Sequence, residues 1–223
     1  MDKNDPAYPG QSDYNPAFLA MYDRLVLGLF ARFVWRWPIP AHVELYREHI
    51  RPNHLDVGPG TGYFLERSGL PDGSPVTIVD PNTNVLRHVS RRLARLRVTA
   101  VQADVLKPLP MTGPFDSAAM SGVLHCLPGP MERKAAAIEN IASVLAPDGA
   151  LFGMTILGPG ANHTRAGRAF LRVLNRRRTF SNRDDTETGL REILERSFGE
   201  VSVETTGPNA IFIARSRLAP VKE

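Results

Sequence analysis

From His54 onward the chain switches repeatedly between short β-like runs and helical ones, and that alternation leaves few folds open. "HLDVG" (54–58), "VTIVD" (76–80), "RVTAVQAD" (97–104), "FDSAAMS" (115–121) and "ALFGMTIL" (150–157) are apolar and rich in β-formers, and read as strands. Residues 61–68, 83–96 and 131–145 read as the helices between them, and 164–176 and 184–197 as helices that follow. "VSVET" (201–205) and "AIFIARS" (210–216) add two strands joined by "TGPN", turn chemistry that suits an antiparallel hairpin. Strand–helix alternation requires a parallel sheet with right-handed crossovers and helices on both faces. The expected fold class is therefore α/β, a seven-stranded and mostly parallel sheet whose last strand is antiparallel. Ligands of such sheets bind at the carboxyl ends of the strands, where the strand order reverses.

Ahead of this pattern, residues 17–37 read as a helix. Phe18, Tyr22, Leu25, Leu29 and Phe33 recur at steps of three and four and form one apolar stripe. Pro38 and Pro40 stop it, and 41–50 forms a second helix. The apolar stretch from Phe18 to Trp37 contains Asp23, Arg24, Arg32 and Arg36, too many charges for a membrane span; a helix lying at a membrane interface is the remaining membrane reading. The first sixteen residues are polar and carry three prolines, without the basic-then-apolar order of a secretory signal, so the expected location is cytoplasmic. One cysteine, Cys126, excludes a disulfide framework and a cysteine-based zinc site. Hydrophobic residues make up 43% of the chain, enough for a full core, and a formal charge of +4 demands no nucleic-acid partner.

The first strand runs into "HLDVGPGTGYFLER", where Gly58, Gly60 and Gly62 separate it from a helix. A turn of this kind needs backbone shapes that a β-carbon resists, and it lets a ligand approach the main chain. The dinucleotide fingerprint G-x-G-x-x-G/A is not met, because the third glycine comes one residue early and Tyr63 stands where Gly or Ala is wanted. Asp56, two residues before Gly58, would repel a pyrophosphate and attract a cation. The pattern fits a ligand with an amine and a sulfonium and no phosphates, as S-adenosylmethionine is. Asp80 ends the second strand, where an acidic side chain accepts both ribose hydroxyls. Asp104 ends the third, placed to accept from an adenine amino group, with Val105 offering its main-chain N–H and covering the ring. Each aspartate alone suits a cap or turn, but three in register on one sheet edge point to a site.

"LDVGPGTG", "IVDPN", "QADVLKPLP", "FDSAAMSGVLHCLP" and "VLAPDGALF", in that order, resemble a class I S-adenosylmethionine-dependent methyltransferase. Within that superfamily the chain is similar to the small-molecule enzymes grouped as methyltransferase type 12. The likeness covers residues 20–216. It implies a Rossmann-like sheet with a helical N-terminal lid, so that 1–50 is tail and lid and 51–223 the cofactor-binding domain. It also implies that Asp56, Gly58, Gly60 and Gly62 hold the methionine moiety, Asp80 the ribose, with Asn82 over the adenosine, and Asp104 and Val105 the adenine. Met120, Ser121 and Gly122 would lie under the methionine part and face the acceptor. An aromatic, Tyr22 or Tyr14, would cover the cofactor's carboxylate end. No metal is expected. The acceptor implied is a small molecule, read as a specialised metabolite, and the likeness leaves room for a homodimer.

Methyl transfer is an in-line displacement, and a base is needed only where the acceptor must lose a proton. His125 in "GVLHCLP" and His163 in "TILGPGANHTRAG" are the candidate bases, each also readable as packing. His42, His49, His54 and His88 read as surface or packing residues. The likeness makes 158–183 part of the acceptor lid, with Phe170, Phe180, Phe18, Tyr14 and Trp37 as candidates to line it. Arg165, Arg168, Arg172 and Arg176 share one helix face, extended by Arg177 and Arg178. That face could hold RNA phosphates or an acidic substrate, or be a solvated surface. The competing readings are thus an RNA or protein methyltransferase using Arg165–Arg178, and a non-catalytic module of the same fold. A nicotinamide oxidoreductase is disfavoured by Asp56 and Tyr63.

Overall fold

The computed structural model describes residues 34–219. Its strands are β1 (His54–Val57), β2 (Pro75–Val79), β3 (Arg97–Val101), β4 (Phe115–Ser121), β5 (Leu145–Ile156), β6 (Phe198–Thr206) and β7 (Asn209–Arg217). Its helices are α1 (Ile39–His49), α2 (Tyr63–Glu66), α3 (Thr83–Arg92), α4 (Met131–Val144), α5 (Arg165–Arg176) and α6 (Glu187–Glu195). The strands form one sheet in the order β3-β2-β1-β4-β5-β7-β6. β1 pairs in parallel with β2 and β4, and β7 runs antiparallel to both β5 and β6. The predicted α/β class, seven strands and hairpin are all present. The chain winds outward from β1 to β3, then returns to lay β4 on the other side of β1. The order therefore reverses between β1 and β4, and the loops leaving those strands diverge and open a crevice.

Alternation within the strands divides the core. Leu55, Val57 and Met120 belong to a layer with Ile138 and Ile141 of α4 and Leu190 and Ile193 of α6. The opposite layer holds Ile78 and Phe152 with Tyr46 of α1 and Val85 and Val89 of α3. His54 and Asp56 fall on that second side. His54 stacks on Phe152, and Asp56 meets the Tyr46 hydroxyl. The starts of α3, α5 and α6 carry side-chain caps: the Asn82, Thr164 and Thr186 side-chain oxygens accept from the N–H groups of Asn84, Gly167 and Gly189.

Several boundaries differ from the sequence reading for local reasons. The helix expected over 61–68 is one turn, because Gly62 enters it left-handed (φ 76) and Gly69 (φ 82) leaves it. The Ser68 hydroxyl also turns back onto the Leu65 carbonyl at 2.7 Å. β5 begins at Leu145, not Ala150: Leu145 pairs with Phe115, and the register shifts before Ala150 pairs with Ser117. Of the helix expected over 17–37, residues 17–33 lie outside the described residues, and Arg36 (φ 51) is left-handed, so no helix reaches Trp37. Among the described residues no helix is long and apolar enough to cross a membrane.

Candidate functional site

The glycine loop is built by β1 and fixed by β2. Gly58 donates its N–H to the Val79 carbonyl at 2.8 Å, and Gly62 donates to Pro59 at 2.8 Å. Gly58 has φ 65, and a Cβ there would overlap Val123 Cγ2, so loop and β4 exit approach within the space of one side chain. Gly60 has φ 58, and a Cβ there would meet nothing within 4 Å. It faces open space, as a cradle for a ligand must.

That space is a cleft, open to solvent, across the carboxyl ends of β1 to β4. Gly58 and Gly60 line it with Asp80 and Asn82 after β2, and with Asp104 and Val105 after β3. Gly122, Val123, Cys126 and Leu127 close the β4 side. Seven of the residues predicted around the cofactor, Gly122 among them, thus share one cavity. The Asp80 carboxyl is 9% exposed, and burial pushes its pKa up to about 7, opposed by the Asn82 N–H that its Oδ1 accepts at 2.7 Å. Asp104 Oδ1 likewise accepts the Leu106 N–H at 3.0 Å. Asn140 of α4 donates to the Val105 carbonyl at 2.9 Å, which holds this wall against the helix.

Other predicted residues stand elsewhere. Asp56 is 1% exposed and outside the cleft lining, beneath the loop. Its Oδ2 accepts from Tyr46 Oη at 3.0 Å, while Oδ1 has no partner. Burial raises its pKa, offset by His54 and Tyr46. Ser121 Oγ lies 3.0 Å from His42 Nε2, on the α1 side. Met120 is buried in the core and does not line the cleft, and Gly62 is the cap of α2, where an added Cβ would press on Val89. Tyr22, Tyr14 and Phe18 lie outside the described residues.

Both candidate bases are buried away from the cleft lining. His125 Nδ1 accepts the Ile156 N–H at 3.2 Å, which leaves the ring proton on Nε2 and no free lone pair. Phe180 covers the ring at 4.3 Å, and burial, aided by the Lys134 charge, lowers its pKa to about 3. His163 Nε2 donates to the carbonyls of Leu157 (3.1 Å) and Gly158 (2.8 Å), so its lone pair is on Nδ1, which is buried without a partner. Burial drives the Cys126 thiol up to about 12 and keeps it protonated at the cleft wall.

The sequence reading missed two parts of this site. The apolar walls Val57, Val79, Val85 and Ala103 read in the sequence only as strand or helix residues, and Val123 only as part of the segment after the fourth strand. His42 and Tyr46, one turn apart on α1, bring an imidazole and a phenol against Ser121 and Asp56. Their i,i+4 spacing beside a buried face was the available signal. Burial lowers the His42 pKa to about 3, and its Nδ1 is an orphan.

Comparison with known proteins agrees with this geometry. Residues 55–151 match the methyltransferase domain family model. Demethylluteothin O-methyltransferase of Streptomyces thioluteus is 36% identical over 200 residues, 89% of this chain and 87% of its own. The physcion biosynthesis cluster O-methyltransferase of Aspergillus chevalieri is 35% identical over 217 residues, 96% of this chain and 98% of its own. Among solved structures, the DhpI complex with S-adenosylhomocysteine superposes with a TM-score of 0.66 at 21% identity, over 93% of this chain and 96% of that one. The N-methyltransferase NodS of Bradyrhizobium japonicum, with the same ligand, gives 0.60 at 20% identity, over 82% and 91%. With a glycine cradle and two strand-end aspartates around one cleft, this chain belongs to the small-molecule class I S-adenosylmethionine-dependent methyltransferases.

Proposed function

We propose that the protein O-methylates a specialised metabolite, with S-adenosylmethionine held in the cleft at the ends of β1 to β4. The carrying observation is that Gly58, Gly60, Asp80 and Asp104 line one cleft at the carboxyl ends of adjacent strands, where a sheet of this kind binds its ligand. Asp80 keeps an oxygen beyond the one that accepts the Asn82 N–H, and that oxygen suits ribose hydroxyls. Asp104 and Val105 suit the adenine edge and face. The unpaired Asp56 Oδ1, beneath the loop, suits an ammonium group. Bound S-adenosylmethionine supplies a methyl group on a sulfonium, already activated for displacement. The relatives named O-methyltransferases support oxygen as the acceptor atom.

The residues contribute by aligning the acceptor and excluding water. His125 acts as a positioning group, since its lone pair ties down the Ile156 N–H. His163 keeps a lone pair at Nδ1, but that atom is buried away from the cleft lining, so neither histidine is assigned the base role. Asp80→Ala is expected to weaken S-adenosylmethionine binding at least tenfold by titration calorimetry. An unchanged affinity would sink the cofactor placement.

A further inference from the structure

Helix α5 carries no acidic residue. Its Arg165, Arg168, Arg172 and Arg176 line a groove whose remaining wall includes Pro159 and Arg183. The groove is open to solvent, and all five arginines are exposed. Among the described residues none of them forms an ion pair, and Arg168 Nη1 donates to the His163 carbonyl at 2.9 Å. Like charges one turn apart disfavour a helix, so the stripe is an arrangement that local structure alone opposes. A nearby acid is already engaged: Asp185 Oδ2 lies 2.6 Å from buried Lys134 Nζ.

The four helical arginines repeat over about 16 Å of axis. A single carboxylate or phosphate is held by one guanidinium fork or two converging ones. A repeated series matches an extended polyanion instead. Nucleic acid is the poorer fit, because among the described residues no aromatic side chain lines the groove for bases to stack on, and the whole chain carries only +4. We propose that this groove docks an acidic segment of a partner protein, whose carboxylates on successive turns pair with Arg165, Arg168, Arg172, Arg176 and Arg183.

The position gives such docking a consequence. Asn175, Arg176 and Arg183 also line a second hollow with Phe180, Ser181 and Cys126, whose lining also carries the acids Asp184 and Asp185. Cys126 in turn belongs to the wall of the donor cleft. A partner seated on α5 lies beside the acceptor approach, placed to deliver an acceptor or to cover the site. Recognition rests on charge and not on the cofactor reading, so either can fail alone.

The test is fluorescence anisotropy of a labelled poly-L-glutamate of about 20 residues, titrated with the full chain at about 50 mM salt. Saturable binding is expected, at least tenfold weaker at about 200 mM salt. The triple variant Arg165→Gln/Arg172→Gln/Arg176→Gln is expected to bind at least tenfold more weakly. Arg87→Gln/Arg91→Gln, on exposed positions of α3, is expected to change binding less than twofold. Equal losses in both variants, or no binding, overturn the proposal. A single-stranded oligonucleotide of equal length binding more tightly through the same arginines overturns it in favour of nucleic acid. Displacement by inorganic phosphate below about 1 mM overturns it in favour of a small-anion pocket.

Discussion

Asp80 combines burial with the lack of a cationic neighbour, and its carboxyl stands near 7 against an ordinary 3.8. Ribose hydroxyls donate to the ionised form, so binding below neutrality releases a proton. Affinity for S-adenosylhomocysteine is expected to rise between about pH 5.5 and 7 by up to about tenfold per unit, then level off. Calorimetry in two buffers of different ionisation enthalpy reads the released proton; in Asp80→Asn it should vanish. His125 shows the opposite linkage. Its folded pKa of about 3 lies below the ordinary 6.5, so the unfolded chain takes the proton first and the contribution to stability is lost as pH falls below 6.5. His125→Asn removes that term. The stability gap between wild type and variant should narrow by about 1.4 kcal/mol per pH unit below 6.5, measured by urea unfolding. A constant gap would place the proton elsewhere. Asp80 was legible in the sequence because it sits where a strand must end. The state of His125 was not, because its lone pair is taken by a main-chain N–H on β5, 31 residues away.

The glycine loop was the most legible element, and it makes two glycines unequal. Gly58→Ala combines a left-handed backbone with overlap on Val123, and is expected to cost at least about 2 kcal/mol in urea unfolding. Gly60→Ala meets only open space and should cost about 1 kcal/mol from its backbone alone. Because that new methyl projects into the ligand's cradle, Gly60→Ala should still weaken S-adenosylhomocysteine binding at least tenfold. Equal stability losses in the two variants would contradict the observed approach of loop and β4. The short helix after the loop was overestimated, since periodicity registers apolar spacing and not the left-handed glycines at each end. On α5, periodicity and cap agree, and the helix lies where the spacing put it, Arg165–Arg176.

Across the whole molecule, Lys134 on α4 fastens the segment after α5. Its Nζ reaches Asp185 Oδ1 and Oδ2 at 2.8 and 2.6 Å and the Ser181 carbonyl at 2.7 Å, with no side-chain exposure. Lys134→Met leaves a buried carboxyl unpaired and is expected to cost about 3–5 kcal/mol. Lys134→Met/Asp185→Asn should recover more than half of it by thermal melting, and no recovery would mean that the pair is not the anchor. Phe180, in the same segment, covers His125 and stacks on Trp35 at 5.9 Å, so the anchor also holds that aromatic cluster in place. The sequence by itself determined the sheet, the hairpin and the cofactor edge, because strand period, turn chemistry and strand-end aspartates are local signals. Only the tertiary structure decided which of those residues share the cleft. It placed Asp56 beneath the loop against Tyr46, set His42 against Ser121, and buried Met120 and both candidate histidines. Those outcomes depend on which elements pack face to face across long separations, and burial and lone-pair occupancy exist only once those contacts form.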